Sequence, residues 1–308
     1  MRTVSIVVPF YNEEKCISFF FERMYPVINN IKDSMFEIVC VDDGSIDETL
    51  EILKKYQIED PRIKIVELSR NFGKESALTA GLDEAYGDAA IPIDADLQDP
   101  PELIVRLIHY WDKGYDVVLA KRTDRSTDSF FKRFTAGIFY KLHNKLSSVK
   151  IPDSVGDFRL MDRVVIDSIK KLPENQRFMK GIFAWVGFKT YTINYKRTVR
   201  SEGYTKFNGL KLLDFAIDGI INFSTIPLRV FSIIGILGVI ATTFYAAVII
   251  IKAVLFQIPV PGFASIILAI LFFGNIQLIG IGVLGEYMGR NYIESKRRPN
   301  YIIRKVYK

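Results

Sequence analysis

The sequence predicts an α/β fold on a mostly parallel sheet, followed by two membrane-spanning helices. Three observations predict it. Short β-branched runs alternate with amphipathic stretches through residues 1–121, the rhythm of βαβ units whose sheet is covered on both faces. Functional groups gather where the runs end: Asn12 and Glu13, Asp42 and Asp43, Asp94 and Asp96, Lys121 and Arg122. Ligands of open α/β sheets bind at the carboxyl ends of strands, so four such ends together mean more than any one. Further on, residues 230–251 and 253–285 carry no charge, the second run being interrupted by Pro259-Val-Pro261-Gly262. Each can supply about 20 residues, enough to cross a hydrocarbon core of roughly 30 Å.

The first strand is expected at residues 4–8, because the apolar run there is too short for a signal peptide. Further strands are expected at 36–41, 63–68, 89–93 and 115–120. Helices fall between them, near 13–30, 47–58, 74–86 and 101–113, and Asn12 is placed to cap the first. In 126–148, Phe130, Phe131, Phe134, Ile138, Phe139, Leu142 and Leu146 recur at three- and four-residue spacings among lysines and an arginine. Such a basic amphipathic helix suits a membrane interface, the alternative being a helix docked on the sheet. A second is expected at 208–223. Residues 157–161 and 189–198 read as strands, 178–186 as a buried helix or turn, and 201–206 as a loop.

The chain has 308 residues, 49% hydrophobic and 25% charged, with mean hydropathy +0.16. That excludes disorder, collagen and a disulfide scaffold. The net charge of +6 is unevenly spread: residues 229–308 hold nine Lys and Arg against two Asp and Glu, so the rest is nearly neutral. Arg229 precedes the apolar runs, and Arg290, Lys296, Arg297, Arg298, Arg304, Lys305 and Lys308 follow them. The positive-inside rule then puts both termini in the cytoplasm, with Lys252 snorkelling from the outer loop. The same placement argues against nucleic acid as a partner. Cys16 and Cys40 form no C-x-x-C pair and read as reduced, buried thiols of a cytosolic domain. The expected organisation is a cytoplasmic domain at 1–228, two transmembrane helices within 229–289 and a basic cytoplasmic tail at 290–308.

The chemistry begins at Asp94-Ala-Asp96-Leu-Gln98. A continuing strand would put these three on one side of the backbone. Hard oxygen ligands in that arrangement suit Mg²⁺ or Mn²⁺, which bridge to substrate phosphates. In Val7-Val-Pro9-Phe-Tyr11-Asn-Glu13-Glu14 the strand stops at Pro9 and Tyr11 offers a flat ring to a nucleoside, though the run also reads as a plain strand-to-helix junction.

These two runs, with Val41-Asp-Asp43-Gly-Ser-Ile-Asp-Glu-Thr49, Gly156-Asp157-Phe-Arg-Leu-Met-Asp162, Arg177-Phe-Met-Lys-Gly181 and the Arg197, Arg200, Gly203 and Lys206 series, resemble the inverting family 2 glycosyltransferases of GT-A, Rossmann-like fold. With two C-terminal spans the chain resembles the polyprenyl-phosphate glycosyltransferases, bactoprenol glucosyltransferases in particular, relatives of dolichol-phosphate mannose synthase. The resemblance implies that Pro9, Tyr11, Glu13 and Asp43 hold the nucleoside of a nucleotide sugar. It implies that Asp94, Asp96 and Gln98 bind the divalent metal, that Asp157 is the catalytic carboxylate, and that Arg122 and Arg200 face phosphate. Taken alone, Asp157 also reads as a structural partner of Arg159 or Arg163, and either phosphate-facing arginine as a surface ion pair.

The implied reaction transfers one sugar, glucose from UDP-glucose, to undecaprenyl or a similar polyprenyl phosphate at the cytoplasmic membrane face. GDP-mannose and UDP-amino sugars are the alternative donors, and a silent nucleotide-sugar-binding anchor is the alternative class. A second copy of the chain, a flippase and a glycosyltransferase using the lipid-linked sugar are the compatible further partners. Two departures matter. The Gln-x-x-Arg-Trp of processive synthases is absent, which fits a single transfer. Where relatives have Gly-x-Ser-Lys-Tyr, this chain has Gly203-Tyr-Thr205-Lys206-Phe207, so any contact of that phenol is lost.

Overall fold

The computed structural model describes residues 1–123, 155–175, 177–195, 226–255 and 262–308. The first half alternates strand and helix: β1 (Arg2–Phe10), α1 (Ile17–Asn30), β2 (Ser34–Asp42), α2 (Thr49–Glu59), β3 (Ile63–Leu68), α3 (Lys74–Glu84), β4 (Ala89–Pro92), α4 (Leu103–Asp112) and β5 (Val117–Arg122). The second half holds β6 (Val155–Asp162), α5 (Arg163–Lys170), α6 (Met179–Trp185), β7 (Thr190–Tyr195), α7 (Ile226–Leu255), α8 (Phe263–Ser295) and β8 (Ile303–Tyr307). All the described strands share one sheet, in the order β7-β5-β6-β4-β1-β2-β3-β8. β6 and β8 run against the other six.

The sheet is covered on both faces because its strands are apolar on both. Val4, Ile6, Val8 and Phe10 pack with Phe20, Leu53 and Ile104 of α1, α2 and α4. Val7, Val39, Val41 and Val66 pack with Leu78, Ile166 and Ile182 of α3, α5 and α6. Helix α3 lies so close to β1 that a Cβ on Gly81 would stand 2.3 Å from Cγ1 of Val7.

The expected strands are present with small shifts at their ends, residues 196–198 of the last lying outside the described residues. Three differences are informative. The first helix opens at Ile17 rather than Glu13, and Asn12 does not cap it. Asn12 adopts a left-handed backbone, φ 53, and latches the neighbouring loop instead: its N–H donates to Ser45 Oγ at 3.0 Å and its Oδ1 accepts from Ile46 N at 2.9 Å. Helix α5 has no counterpart among the expected elements; Asp162 caps it by accepting from Val164 N, and Val165, Ile166 and Ile169 form its buried face. Nor has β8. Residues 303–307 of the basic tail join the sheet antiparallel to β3, where Tyr307 Oη donates to Glu67 at 2.8 Å and Arg304 pairs with Glu67 at 3.2 Å.

Burial pushes the Cys40 thiol up, as expected of a core cysteine, but Cys16 is only half-buried, which corrects the expectation for that residue. Among the described residues no helix is long and apolar enough to cross a membrane. In α8 the stretch from Phe272 mixes Asn275, Gln277, Glu286 and Arg290 with its aliphatic residues. The expected pair of spans is therefore not established by the described part of the fold. The helices expected at 126–148 and 208–223, the loop at 201–206, and Arg200 lie outside the described residues.

Candidate active site

Six strands point the same way, so their carboxyl ends line one edge of the sheet. β6 runs against them and therefore begins at that edge, with Lys121 of β5 opposite Val155. This brings Asp157, two residues into β6, beside the segment that leads out of β4.

That segment is not a continued strand. β4 ends at Pro92, Ile93 N still donates to Val7 O, and the chain then turns, Leu97 N donating to Asp94 O at 3.2 Å. Leu97 has φ 45. The alternation argument for Asp94, Asp96 and Gln98 is thus corrected: a turn groups them, not a pleat. Gln98 donates from its backbone N to Asp96 Oδ1 at 3.2 Å and from Nε2 to Oδ2 at 2.9 Å, so it orients Asp96.

Lys74, at the first position of α3, joins the two carboxylates. Its Nζ lies 2.7 Å from Asp94 Oδ1, 3.0 Å from Asp94 Oδ2 and 2.9 Å from Asp157 Oδ2. Burial pushes the Asp157 carboxyl up, but Lys74, Lys180 and Arg159 outweigh it and hold the group below the usual carboxylate range. Its other oxygen, Oδ1, is buried and accepts no hydrogen bond among the described residues. Glu75 stands next to this charge, and burial together with Asp157 raises it to about 7; its Oε2 accepts from Met179 N at 3.2 Å. Arg159 is 5% exposed, lies 4.3 Å from the Phe183 ring and donates to Gly156 O at 2.6 Å. Burial lowers it to about 10, against the opposing pull of Asp157. Of the structural alternatives for Asp157, Arg159 acts on it electrostatically and Arg163 is engaged elsewhere. Asp157 forms its ion pair with Lys74, and Arg163 binds the carbonyls of Ala85 and Gly87.

The expected nucleoside residues sit next door, at the ends of β1 and β2. Pro9 is opposite Val41, Tyr11 is 38% exposed, and Glu13 N donates to Thr49 Oγ1 at 2.9 Å. Asp43 is buried, which raises its pKa, while its two oxygens accept from Phe72 N at 2.7 Å and Gly73 N at 2.9 Å. Asp43 thereby fixes the loop that delivers Lys74. Gly44 must be glycine here: φ is +67 and a Cβ would stand 2.4 Å from the Arg70 carbonyl carbon. Arg122 ends β5 in register with Tyr195 of β7, whose phenol donates to Asp99 beyond the Asp94 turn.

Sequence reasoning missed Lys74, Glu75 and Arg159. A signal exists for the first two: Ser69 to Lys74 is the polar end of β3, a parallel strand end like the other four, and Gly73 with φ +96 marks the turn. Arg159 gives none, since burial of a charged residue in β6 depends on a tertiary neighbour, Phe183.

Residues 5–170 match the profile of glycosyl transferase family 2. The chain belongs to that family. This family 2 glycosyltransferase, with its GT-A sheet, is 52% identical over 305 residues to the prophage bactoprenol glucosyl transferase homolog of Escherichia coli (strain K12), covering 99% of each chain. It is 52% identical over 301 residues to the bactoprenol glucosyl transferase of Shigella phage SfX, covering 98% of each. A solved mannosyltransferase from Pyrobaculum calidifontis, in complex with GDP-Man and Mn²⁺, aligns with 65% of this chain and 58% of its own at 20% identity and TM-score 0.45.

Proposed function

We propose that this enzyme transfers one glucosyl residue from UDP-glucose to undecaprenyl or a similar polyprenyl phosphate, with inversion. The observation that carries the reading is end-to-end likeness, at 52% identity, to bactoprenol glucosyl transferases. The site chemistry agrees with it. Asp94 and Asp96 are hard oxygen donors on one turn. Among the described residues no three His, Cys, Asp or Glu converge to hold an ion unaided. The pair fits Mg²⁺ or Mn²⁺ completing its shell with substrate diphosphate and water. Such an ion, when bound, stabilises the negative charge of the departing nucleoside diphosphate.

The acceptor explains Asp157. A phosphate monoester has its second pKa near ~6 and is largely dianionic at neutral pH. It needs little help to become a nucleophile. Asp157, held ionised by Lys74, Lys180 and Arg159, suits steering the acceptor, taking a residual proton, or facing positive charge at the anomeric carbon. Pro9, Tyr11, Glu13 and Asp43 suit the nucleoside, and Arg122 and Arg200 the phosphates, because a guanidinium presents a planar fork of donors.

We also propose that α7 and α8 form a membrane hairpin, with the catalytic sheet on the cytoplasmic side. The helices run 30 and 33 residues, about 45 and 50 Å at 1.5 Å per residue. Ile233, Leu237, Ile240, Phe244, Ile270, Leu278 and Ile281 lie on them at 55% exposure or more, which water alone would not favour. Purified full-length protein with Mg²⁺, undecaprenyl phosphate and a panel of UDP-glucose, GDP-mannose and UDP-N-acetylglucosamine tests the reaction. Nucleoside diphosphate release and a lipid product heavier by one hexose are expected with UDP-glucose. Release from another donor alone would change the sugar, and release from none would leave the silent anchor.

A further inference from the structure

Lys74 is the unusual component of this site. Its ammonium lies within 3.0 Å of three carboxylate oxygens belonging to two residues on different strands' ends, Asp94 and Asp157. The side chain is 47% exposed, but its backbone is held. Gly73 opens α3 with φ +96, and both the Phe72 and Gly73 N–H groups are pinned by Asp43, so the lysine stem starts from a fixed point. A lysine ammonium is a full cation at neutral pH, its ordinary pKa being ~10.4.

A cation is thus already seated on Asp94, one of the two carboxylates assigned to a divalent ion. Its charge sets the terms on which a metal can bind. A metal approaching alone must displace or sit beside an ammonium that both carboxylates stabilise, and like charges a few ångströms apart repel strongly at a partly buried site. A metal arriving with a nucleoside diphosphate brings its own negative charge, which offsets that repulsion and gives the ammonium a new partner. We propose that Lys74 is a built-in counter-cation that makes loading of the divalent metal at Asp94 conditional on the nucleotide diphosphate, remaining afterwards on Asp157. This rests on the reading of Asp94 and Asp96 as metal ligands. Lys74 is then a positioning residue: it keeps Asp94 and Asp157 at a fixed separation before substrate arrives.

The test is Mn²⁺ binding to full-length protein, read by electron paramagnetic resonance of the free ion, with and without UDP. Wild type should bind Mn²⁺ weakly alone and at least about tenfold more tightly with UDP. Lys74→Met should bind Mn²⁺ alone about tenfold more tightly than wild type and lose most of the UDP dependence, while Lys74→Arg, which keeps the charge, should behave like wild type. Thermal melting of both variants without metal reports whether the site still folds. If folded Lys74→Met binds Mn²⁺ alone no better than wild type while wild type binds it with UDP, the counter-cation role is wrong and the metal reading stands. If Mn²⁺ binds neither protein even with UDP, both fall.

Discussion

At Asp157, burial and charge oppose each other, and the balance sets what the residue can do. Asp157 is kept ionised by three cations around it, whereas Glu75, one helix position beyond Lys74, is driven toward neutrality by burial and by Asp157. Replacing Asp94 or Asp96 by Asn keeps volume and removes charge where the leaving diphosphate would be stabilised. Each change should lower turnover about 10²-fold or more with the melting temperature little altered, measured as UDP release, and EDTA should abolish wild-type turnover. Glu75 gives a pH signature. Its folded pKa of about 7 lies above the ordinary 4.5, so between those values the folded protein holds the extra proton. Stability therefore falls as pH rises from about 4.5 to 7. Glu75→Gln keeps an acceptor for Met179 N–H and removes that penalty. Relative to wild type it should gain about 1–3 kcal/mol more at pH 8 than at pH 5 in chemical denaturation. Asp94 and Asp96 stood out because acidic residues recur at strand ends, whereas Asp157 was marked only by the family motif and Glu75 was missed. Lys74 stands at the polar end of β3, a local signal, but its pairing with carboxylates 20 and 83 positions away is one that no local pattern encodes.

Elements were legible where their periodicity is strong and local. β1 to β5 declared themselves as β-branched runs, and α4 by its apolar face of Leu103, Ile104, Leu107, Ile108 and Trp111. Helix α5 escaped because only two turns extend beyond its Asp162 cap, and β8 because arginine and lysine interrupt its alternation. A basic strand is stable there because β3 offers an open edge and Glu67 a buried acceptor; it also covers an edge otherwise free to pair with another molecule. Tyr307→Phe removes the phenol donor to Glu67, which is 6% exposed, and should cost about 1–1.5 kcal/mol in urea unfolding. On the opposite side of β1, the α3 contact has no slack. Gly81→Ala adds a methyl 2.3 Å from Val7 Cγ1 and 3.0 Å from Val41 Cγ2, so overpacking should cost about 1–3 kcal/mol despite the better helix propensity of alanine. A stabilised Gly81→Ala protein would mean that α3 can lift from the sheet.

The whole molecule closes on itself. The chain leaves the sheet before α7 and comes back to it in β8, on the outer edge of β3. Further ties hold the end of α8 to the same body: Glu294 accepts from Asn175 N at 2.9 Å, Asn300 Nδ2 donates to Glu174 O at 3.1 Å, and Tyr301 Oη donates to Asp83 at 2.7 Å. Because β7 and β8 lie in one sheet, the segment between them crosses a membrane an even number of times if it crosses at all, and the proposed hairpin of two helices crossing once each meets that requirement. For the proposed hairpin the uneven charge predicts the direction, since Arg229 stands in the first turn of α7 and seven Lys and Arg fall between 290 and 308. In a Cys16→Ser background, with Cys40 buried, Val260→Cys should react with an impermeant maleimide in intact cells, and Lys305→Cys should react only after the membrane is opened. Labelling of Lys305→Cys in intact cells would invert the orientation. Protection of Val260→Cys in intact cells together with its labelling after lysis would mean that the segment between α7 and α8 stays on the sheet side, and that the helices lie along the membrane instead of through it.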